Sequence, residues 1–282
     1  MSSIAREPVS IQLDYSRCRG CGNCIITCHT RAIGIDLGIL VIDYSLCDSC
    51  MECIEVCPVD AFSTTIDTIK IHPIESKSYS IIQPILDELD LPRELLPLAA
   101  RVLHATTDKE LAESLWCKKD AVNQMVEAIS KGYQIITDVE MTRSGLTGAL
   151  KQKSICALSF GTQVDRDTGD YSNAPSVSAA SMAKAANQYR NHALYVIGCA
   201  PTALEQLIDM IGSGSVKPAG VLALPVGFIG AEQAKHRLIE ISGQCSFPVI
   251  TNVGPKGGSA ATAACMNAIY RIAVEQDRMP HE

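Results

Sequence analysis

The sequence predicts two units: a small α+β head rich in cysteine, and a larger α/β domain whose parallel sheet is flanked by helices. Three observations carry this expectation. Eight of the 13 cysteines fall between Cys18 and Cys57. Beyond about Lys70 the clustering stops, and short β-branched runs alternate with helical stretches, the pattern of a parallel sheet covered on both faces. Finally, 47% of residues are hydrophobic but only 5% aromatic, so the core is built from Ala, Ile, Leu and Val, as suits a helix-covered sheet. The units are expected to span residues 1–68 and 69–282.

The head repeats itself. "CRGCGNCIITC" sets Cys18, Cys21, Cys24 and Cys28 at intervals of three, three and four, and "CDSCMECIEVCP" repeats this with Cys47, Cys50, Cys53 and Cys57. The register is 29 residues and extends to "LDYS" and "IDYS" before the two runs, which implies two half-units about a pseudo-twofold axis. Three cysteines on a tight loop each reach a different iron of one cubane, so the fourth thiolate comes from elsewhere. In two-cluster proteins of this pattern the fourth cysteine of each run ligates the other cluster. The expected sets are therefore Cys18, Cys21, Cys24 and Cys57 for one [4Fe–4S] cluster, and Cys47, Cys50, Cys53 and Cys28 for the second. Over residues 8 to 65 the chain resembles the bacterial two-[4Fe–4S] ferredoxin module, with His29 where a proline usually follows the fourth cysteine. Zinc is the alternative, but four-cysteine zinc sites come as two separated CxxC pairs. Residues 1–62 hold 4 Lys+Arg and 8 Asp+Glu, a net −4 that suits a basic redox partner or simply a solvated surface.

The larger domain reads in order. "IHPIESKSYS" is expected to be a linker running into a helical region from Ile81 to Trp116, broken at "LPRELLP". Candidate strands are "YQIITD", "SICALSF", "ALYVIG", "GVLALP" and "FPVITN"; candidate helices cover 120–131, 174–191, 201–212, 231–241 and 258–275. The informative motifs fall at strand ends, where ligands of such sheets bind. In "LPVGFIGAEQAK", Gly227 and Gly230 permit close backbone approach. In "GPKGGSAATAA", Lys256 precedes Gly257, Gly258 and Ser259 at a helix start, whose amides with the lysine form an anion site; structural turn glycines are the plainer alternative. Cys117, Cys156, Cys199, Cys245 and Cys265 sit in apolar segments and are expected to be small buried hydrophobes. In "RVLHATTD", His104 interrupts an apolar helical run; such a residue is commonly a core or cap group, though its titration range makes it a candidate acid or base.

Six segments, "IESKSYSII", "ARVLHATTD", "TDVEMTRSGLTG", "IGCAPTAL", "LPVGFIGAEQAK" and "GPKGGSAATAACMNAI", resemble the precorrin-8X methylmutase (cobalt-precorrin-8 methylmutase) family in order and spacing over residues 72 to 275. The resemblance implies an α/β homodimer with tetrapyrrole sites near the subunit interface. It also implies an isomerase of corrin biosynthesis that moves a methyl group from C-11 to C-12. His104 falls on the family's catalytic histidine, where an imidazole acts as general acid toward the macrocycle. Asp108, four residues on, is a candidate to orient it. Ser78 and Thr147 match hydroxyl residues of the family's site and suit peripheral carboxylates. Two positions depart from the family: Val177 stands in place of an arginine in "SVSAASM", and Cys199 in place of an asparagine in "IGCAPTAL". Arg143 or Lys256 are candidates for compensating charge.

A net charge of −7 excludes a polyphosphate partner, and no secretory start or bilayer-length apolar run is present, so a cytoplasmic protein without nucleic-acid or membrane partners is expected. A methyl shift consumes no electrons, so the head leaves two other readings open: a ferredoxin-linked tetrapyrrole or corrinoid reductase, and a corrinoid-binding electron-transfer protein.

Overall fold

The structure, a computed structural model, describes residues 11–36, 39–47, 50–64, 73–161 and 176–278. The chain divides into two compact units, Met1–Ser76 and Lys77–Glu282. The boundary expected at 68/69 lies outside the described residues, as do positions 71–72 of the expected linker and 174–175 of an expected helix.

In the first unit the elements run β1 (Ile11–Leu13), α1 (Asn23–Thr27), β2 (Ile33–Asp36), β3 (Ile39–Ile42), α2 (Glu52–Glu55) and β4 (Phe62–Thr64). The second trio follows the first at the 29-residue register of the sequence repeat. Pairing is exchanged between halves: β1 runs antiparallel to β4, and β2 to β3. The contacts repeat as well. The Asp14 amide donates to the Ala61 carbonyl and the Asp43 amide to the Ala32 carbonyl, both at 2.7 Å. Tyr15 donates its hydroxyl to the Leu40 carbonyl at 3.1 Å, and Tyr44 to the Ile11 carbonyl at 2.6 Å. A short core of Ile11, Cys24, Ile33, Leu40, Cys53 and Phe62 lies between the halves.

The second unit begins within α3 (Pro73–Asp87), which corrects the expected linker: the chain is helical from Pro73 onward, proline being well suited to a first helical turn. A single 3-10 turn at Arg93–Leu95 leads into α4 (Leu96–Thr106), and Thr107, left-handed at φ 54°, ends it. Then come α5 (Lys109–Glu113), β5 (Leu115–Cys117), α6 (Ala121–Ser130), β6 (Gln134–Thr137), α7 (Glu140–Ser144), α8 (Gly148–Gln152) and β7 (Ser154–Cys156). The chain continues with α9 (Val177–Gln188), β8 (Ala193–Ile197), α10 (Pro201–Gly212), β9 (Gly220–Ala223), α11 (Ala231–Gln244), β10 (Val249–Asn252) and α12 (Ser259–Arg278).

One six-stranded sheet results, in the order β5–β10–β9–β8–β6–β7. Five strands are parallel; β5 pairs antiparallel with β10 at the edge, a strand not expected from sequence. The expected strand "SICALSF" is extended only over Ser154–Cys156 and then turns at Ala157–Phe160. Alternate residues feed two cores. Leu194, Val196, Leu222 and Ile250 pack with α4, α6 and α12, while Tyr195, Ile197, Val221 and Val249 pack with α9, α10 and α11. Burial on both faces is why these strands read as unbroken apolar runs. Connections leave β6 toward β7 and β8 toward β9, so the order reverses between β6 and β8, the kind of strand end beyond which ligands of such sheets bind.

Candidate active site and metal centre

At that reversal sits Asp138, immediately after β6 and 1% exposed. Its carboxylate accepts the amides of Gly198 (3.1 Å), Cys199 (2.7 Å) and Ala200 (2.8 Å) from the loop after β8. It also accepts the Thr142 hydroxyl at 2.9 Å, and Thr142 meets the Ser259 hydroxyl at 3.0 Å. A buried carboxylate needs such donors to offset its lost hydration. These bonds lock the loops after β6, β8 and β10 together.

The loop after β10 is held from two sides. The Lys256 carbonyl accepts Lys235 Nζ at 2.7 Å and Asn252 Nδ2 at 2.9 Å. Lys235 is 1% exposed, and burial pushes its ammonium down to about 8. Gly257, at φ 155°, crosses β9 so closely that any Cβ would run into the Leu224 carbonyl, and the Gly258 amide donates to that carbonyl at 2.8 Å. Outward, the Lys256 ammonium grips both oxygens of Asp108 (2.9 and 2.8 Å) and Glu110 Oε2 (2.6 Å). The Lys256 ammonium holds the Asp108 carboxyl below its usual range, and the two carboxylates in turn push Lys256 up. Asp108 also caps α5 by accepting the Leu111 amide at 3.0 Å. The pair thus ties the end of α4, where His104 stands, to the carboxyl end of the sheet.

His104 is half-buried on α4 rather than sealed in the core. Its Nδ1 lies 2.9 Å from the Ser78 hydroxyl, and Tyr79 stacks on its ring at 5.5 Å between centroids and 13° between planes. Arg101 NH1 donates to the Tyr79 hydroxyl at 2.9 Å, fixing that ring. Both Ser78 and Tyr79 come from α3, the helix missed at this point of the sequence. An open cleft along α3 and α4 is lined by Gln83, Leu86, Arg93, Leu96 and Ala100, the last one helical turn before His104, which does not itself line it.

Several expectations are corrected by this geometry. Asp108 does not orient His104, because the left-handed Thr107 breaks the helix and Lys256 engages the carboxylate; Ser78 is the group on Nδ1. Lys256 and Gly258 do not form an open anion site, since ammonium and amide are already bonded. Ser259 is 7% exposed and its hydroxyl belongs to the Asp138 network. Arg143 donates from Nε to Glu140 at 2.8 Å and from NH1 to the Lys151 carbonyl at 3.2 Å. Thr147 gives its amide to Asn267 Oδ1 at 2.9 Å, while its buried hydroxyl has no partner among the described residues. Cys156 and Cys265 are buried as expected, but Cys117 and Cys245 are half-buried and Cys199 is exposed, because Asp138 draws its amide inward and leaves the side chain outside. Val177 is half-buried in the first turn of α9. Asp138 and Lys235 were not singled out from sequence; an acid closing an apolar strand was the available signal for the first.

In the first unit the eight cysteines surround two voids. One is lined by Cys18, Cys21, Cys24 and Cys57; the other by Cys28, Cys47, Cys50 and Cys53. Four thiols facing one apolar void is a donor set that fits an iron–sulfur cubane. Gly20 and Gly22, at φ 66° and 79°, let the first loop wrap its void, while Met51 holds the same left-handed conformation in the second repeat.

The comparisons with known proteins follow the same division. The family described as precorrin-8X methylmutase matches residues 73–272, the greater part of the chain. The chain belongs to the precorrin-8X methylmutase family. The 4Fe-4S dicluster domain family matches residues 17–61, so an iron–sulfur module is fused ahead of the methylmutase domain. The cobalt-precorrin-8 methylmutase of Priestia megaterium is 34% identical over 75% of this chain and 93% of its own length. The precorrin-8X methylmutase of a Sinorhizobium species is 32% identical over 70% and 93%. Among solved structures, a precorrin-8x methyl mutase from Thermus thermophilus aligns with TM-score 0.63 and 27% identity, covering 74% of this chain and 98% of that one. Among the described residues no helix is long and apolar enough to cross a membrane.

Proposed function

We propose that this chain is a precorrin-8X or cobalt-precorrin-8 methylmutase, an isomerase that moves the methyl group from C-11 to C-12 of a corrin precursor, joined to a two-[4Fe–4S] module. The observation that carries the reading is the contact between Ser78 and His104 Nδ1 at 2.9 Å on a half-buried imidazole. In its acid form the ring donates Nδ1–H to the Ser78 oxygen and offers Nε2–H to the macrocycle. The proton shared with the ring biases its electrons while the methyl migrates, and it returns to Nε2 afterwards, so the imidazole ends as it began. Tyr79 covers one face of the imidazole and limits both its rotation and its contact with water.

Thr147, whose hydroxyl has no partner among the described residues, and Arg143, braced by Glu140, are the proposed contacts for peripheral carboxylates. Lys256, Gly257, Gly258 and Ser259 act by holding α4 and the strand-end loops in register. Exposed Val226, Phe228, Ile229 and Val253 lie beyond β9 and β10 and offer an apolar rim, which supports a flat ring lying against one copy with a second copy closing over it as a homodimer.

The proposed cluster ligands are Cys18, Cys21, Cys24 and Cys57, and Cys47, Cys50, Cys53 and Cys28. Bound there, the clusters supply one-electron transfer, which the methyl shift does not consume; the acidic head suits a basic redox partner. A reducing cytoplasm is the compartment we assign.

The deciding experiment is anaerobic incubation with precorrin-8 or cobalt-precorrin-8, with and without reductant, followed by absorbance of the product. Product without reductant supports the isomerase. Strict electron dependence supports the reductase, and tight binding with no conversion supports the electron-transfer protein.

A further inference from the structure

The internal repeat of the head is broken at one corner. His29, Cys50 and Glu52 bring one ligand atom each to within 4.8 Å of one another, and His29 Nδ1 lies 3.7 Å from Glu52 Oε2. Stepping each residue by the 29-residue register gives Pro58, Cys21 and Asn23 at the matching corner of the other half. There the two residues flanking the cysteine offer neither an imidazole nor a carboxylate.

Connectivity explains why the three residues meet. His29 directly follows Cys28, which lines the void shared with Cys47, Cys50 and Cys53, and Glu52 stands two residues after Cys50. The exchange of fourth cysteines between halves thus carries His29 to the opposite repeat. Cys50 and His29 are exposed and Glu52 is half-exposed. Ligands of one metal ion bind at roughly 2.0–2.3 Å, so closing from 4.8 Å asks for side-chain rotation of about 1 Å at the surface. Imidazole nitrogen and carboxylate oxygen both bind iron, and histidine replaces cysteine on one iron of some natural clusters.

We propose that His29 and Glu52 are reserve ligands for the iron held by Cys50, so that the second cluster keeps its fourth iron when that thiolate is not bound to it. The exchange moves no electrons: an iron–nitrogen or iron–oxygen bond takes the place of the iron–sulfur bond. Among the described residues the first cluster has no such reserve at Cys21; there the iron leaves as Fe2+, and one-electron oxidation by ferricyanide takes the remaining [3Fe–4S] core to its paramagnetic state. The inference rests on the two-cluster reading, which is tested separately by the iron content of the unaltered protein, about eight per chain.

The test compares Cys50→Ala with Cys21→Ala in the full chain, purified anaerobically and oxidised with one equivalent of ferricyanide per cluster before the spectrum is taken. Cys21→Ala is expected to show a [3Fe–4S] electron paramagnetic resonance signal of about one spin per chain and to lose one iron. Cys50→Ala is expected to keep the fourth iron and show no such signal, and the added changes His29→Pro and Glu52→Gln are expected to bring it out. Equal [3Fe–4S] signals from Cys50→Ala and Cys21→Ala overturn the proposal. If Cys50→Ala does not assemble clusters, mild ferricyanide oxidation of proteins with all cysteines decides. The unaltered chain should then yield about one [3Fe–4S] per chain, and His29→Pro with Glu52→Gln about two; equal yields overturn it. Fewer than eight irons, or zinc, in the unaltered chain would instead mark failure of the two-cluster reading.

Discussion

The Ser78 hydroxyl and His104 Nδ1 lie 2.9 Å apart although 26 residues separate them in the chain. A hydroxyl at Nδ1 selects which ring nitrogen faces the substrate, so the two residues should fail differently. His104→Ala removes the acid and should lower kcat by about 10²–10⁴-fold, with substrate binding largely kept. Ser78→Ala leaves the acid but frees its tautomer and rotation, and should lower kcat by roughly 10–100-fold with little change in KM. Single-turnover absorbance changes with the corrin precursor check both. An unchanged rate in His104→Ala would remove the acid from the mechanism.

Asp138 joins three loops through a carboxylate that accepts four hydrogen bonds. Asp138→Asn keeps the shape but loses the charge and turns an NH2 toward backbone amides that cannot accept it. The expected cost is about 3 kcal/mol of unfolding free energy, read as a lower urea midpoint at unchanged slope. A midpoint equal to the wild type would mean that the loops are held by other contacts.

These two residues also mark the limit of what sequence discloses. The cysteine sets were legible because each run is local and the 29-residue repeat states the pattern twice. The parallel strands were legible because burial on both faces leaves continuous runs such as "ALYVI", in which every residue is buried. By contrast, β5 is three residues whose identity comes from pairing Leu115, Trp116 and Cys117 with β10, more than 130 residues away. His104 could be marked as a candidate, but its partner could not: proximity of Asp108 in sequence suggested one, and the left-handed break at Thr107 sent that carboxylate to Lys256 instead. Lys256 and Ser259 looked like ligand groups because residue type and a helix start are local signals, whereas their actual partners come from other segments of the fold.

Glycines at the sheet's end provide a matched pair. Gly257 has φ 155°, and a Cβ there meets the Leu224 carbonyl; Gly148, in the first turn of α8, has nothing within 4 Å of that position. Gly257→Ala should therefore cost about 2 kcal/mol or more, because both backbone conformation and the crossing over β9 must give way. Gly148→Ala should be neutral or stabilising by up to about 1 kcal/mol, since alanine narrows the unfolded ensemble without a clash. Thermal melts of the two variants, measured side by side, distinguish crowding from a general intolerance of the region.

Lys235 gives a prediction in pH. Its ammonium is pushed down to about 8 by burial, against 10.5 when unfolded. Below pH 8 both states hold the proton, and the folded state bears the full cost of burying it. Between pH 8 and 10.5 the unfolded chain keeps the proton while the folded chain releases it, so stability from this group rises with pH, by about 3 kcal/mol across the window. The neutral amine still donates to Asn252 Oδ1 at 3.1 Å and to the Lys256 carbonyl, so the loop is not released as the charge is lost. The Asp108–Lys256 pair does not mask this rise, because Asp108 titrates well below the window and Lys256, raised by its carboxylates, above it. Buried Cys117 and Cys265, pushed up to about 12 from 9.0, lower stability over this range in wild type and variant alike, so the measure is the difference. The wild type should gain about 3 kcal/mol on Lys235→Met between pH 8 and 10.5 when unfolding free energies are measured in urea at a series of pH values. Parallel curves for the two proteins would mean that the buried lysine stays charged through pH 10, held by its two acceptors more strongly than burial opposes it.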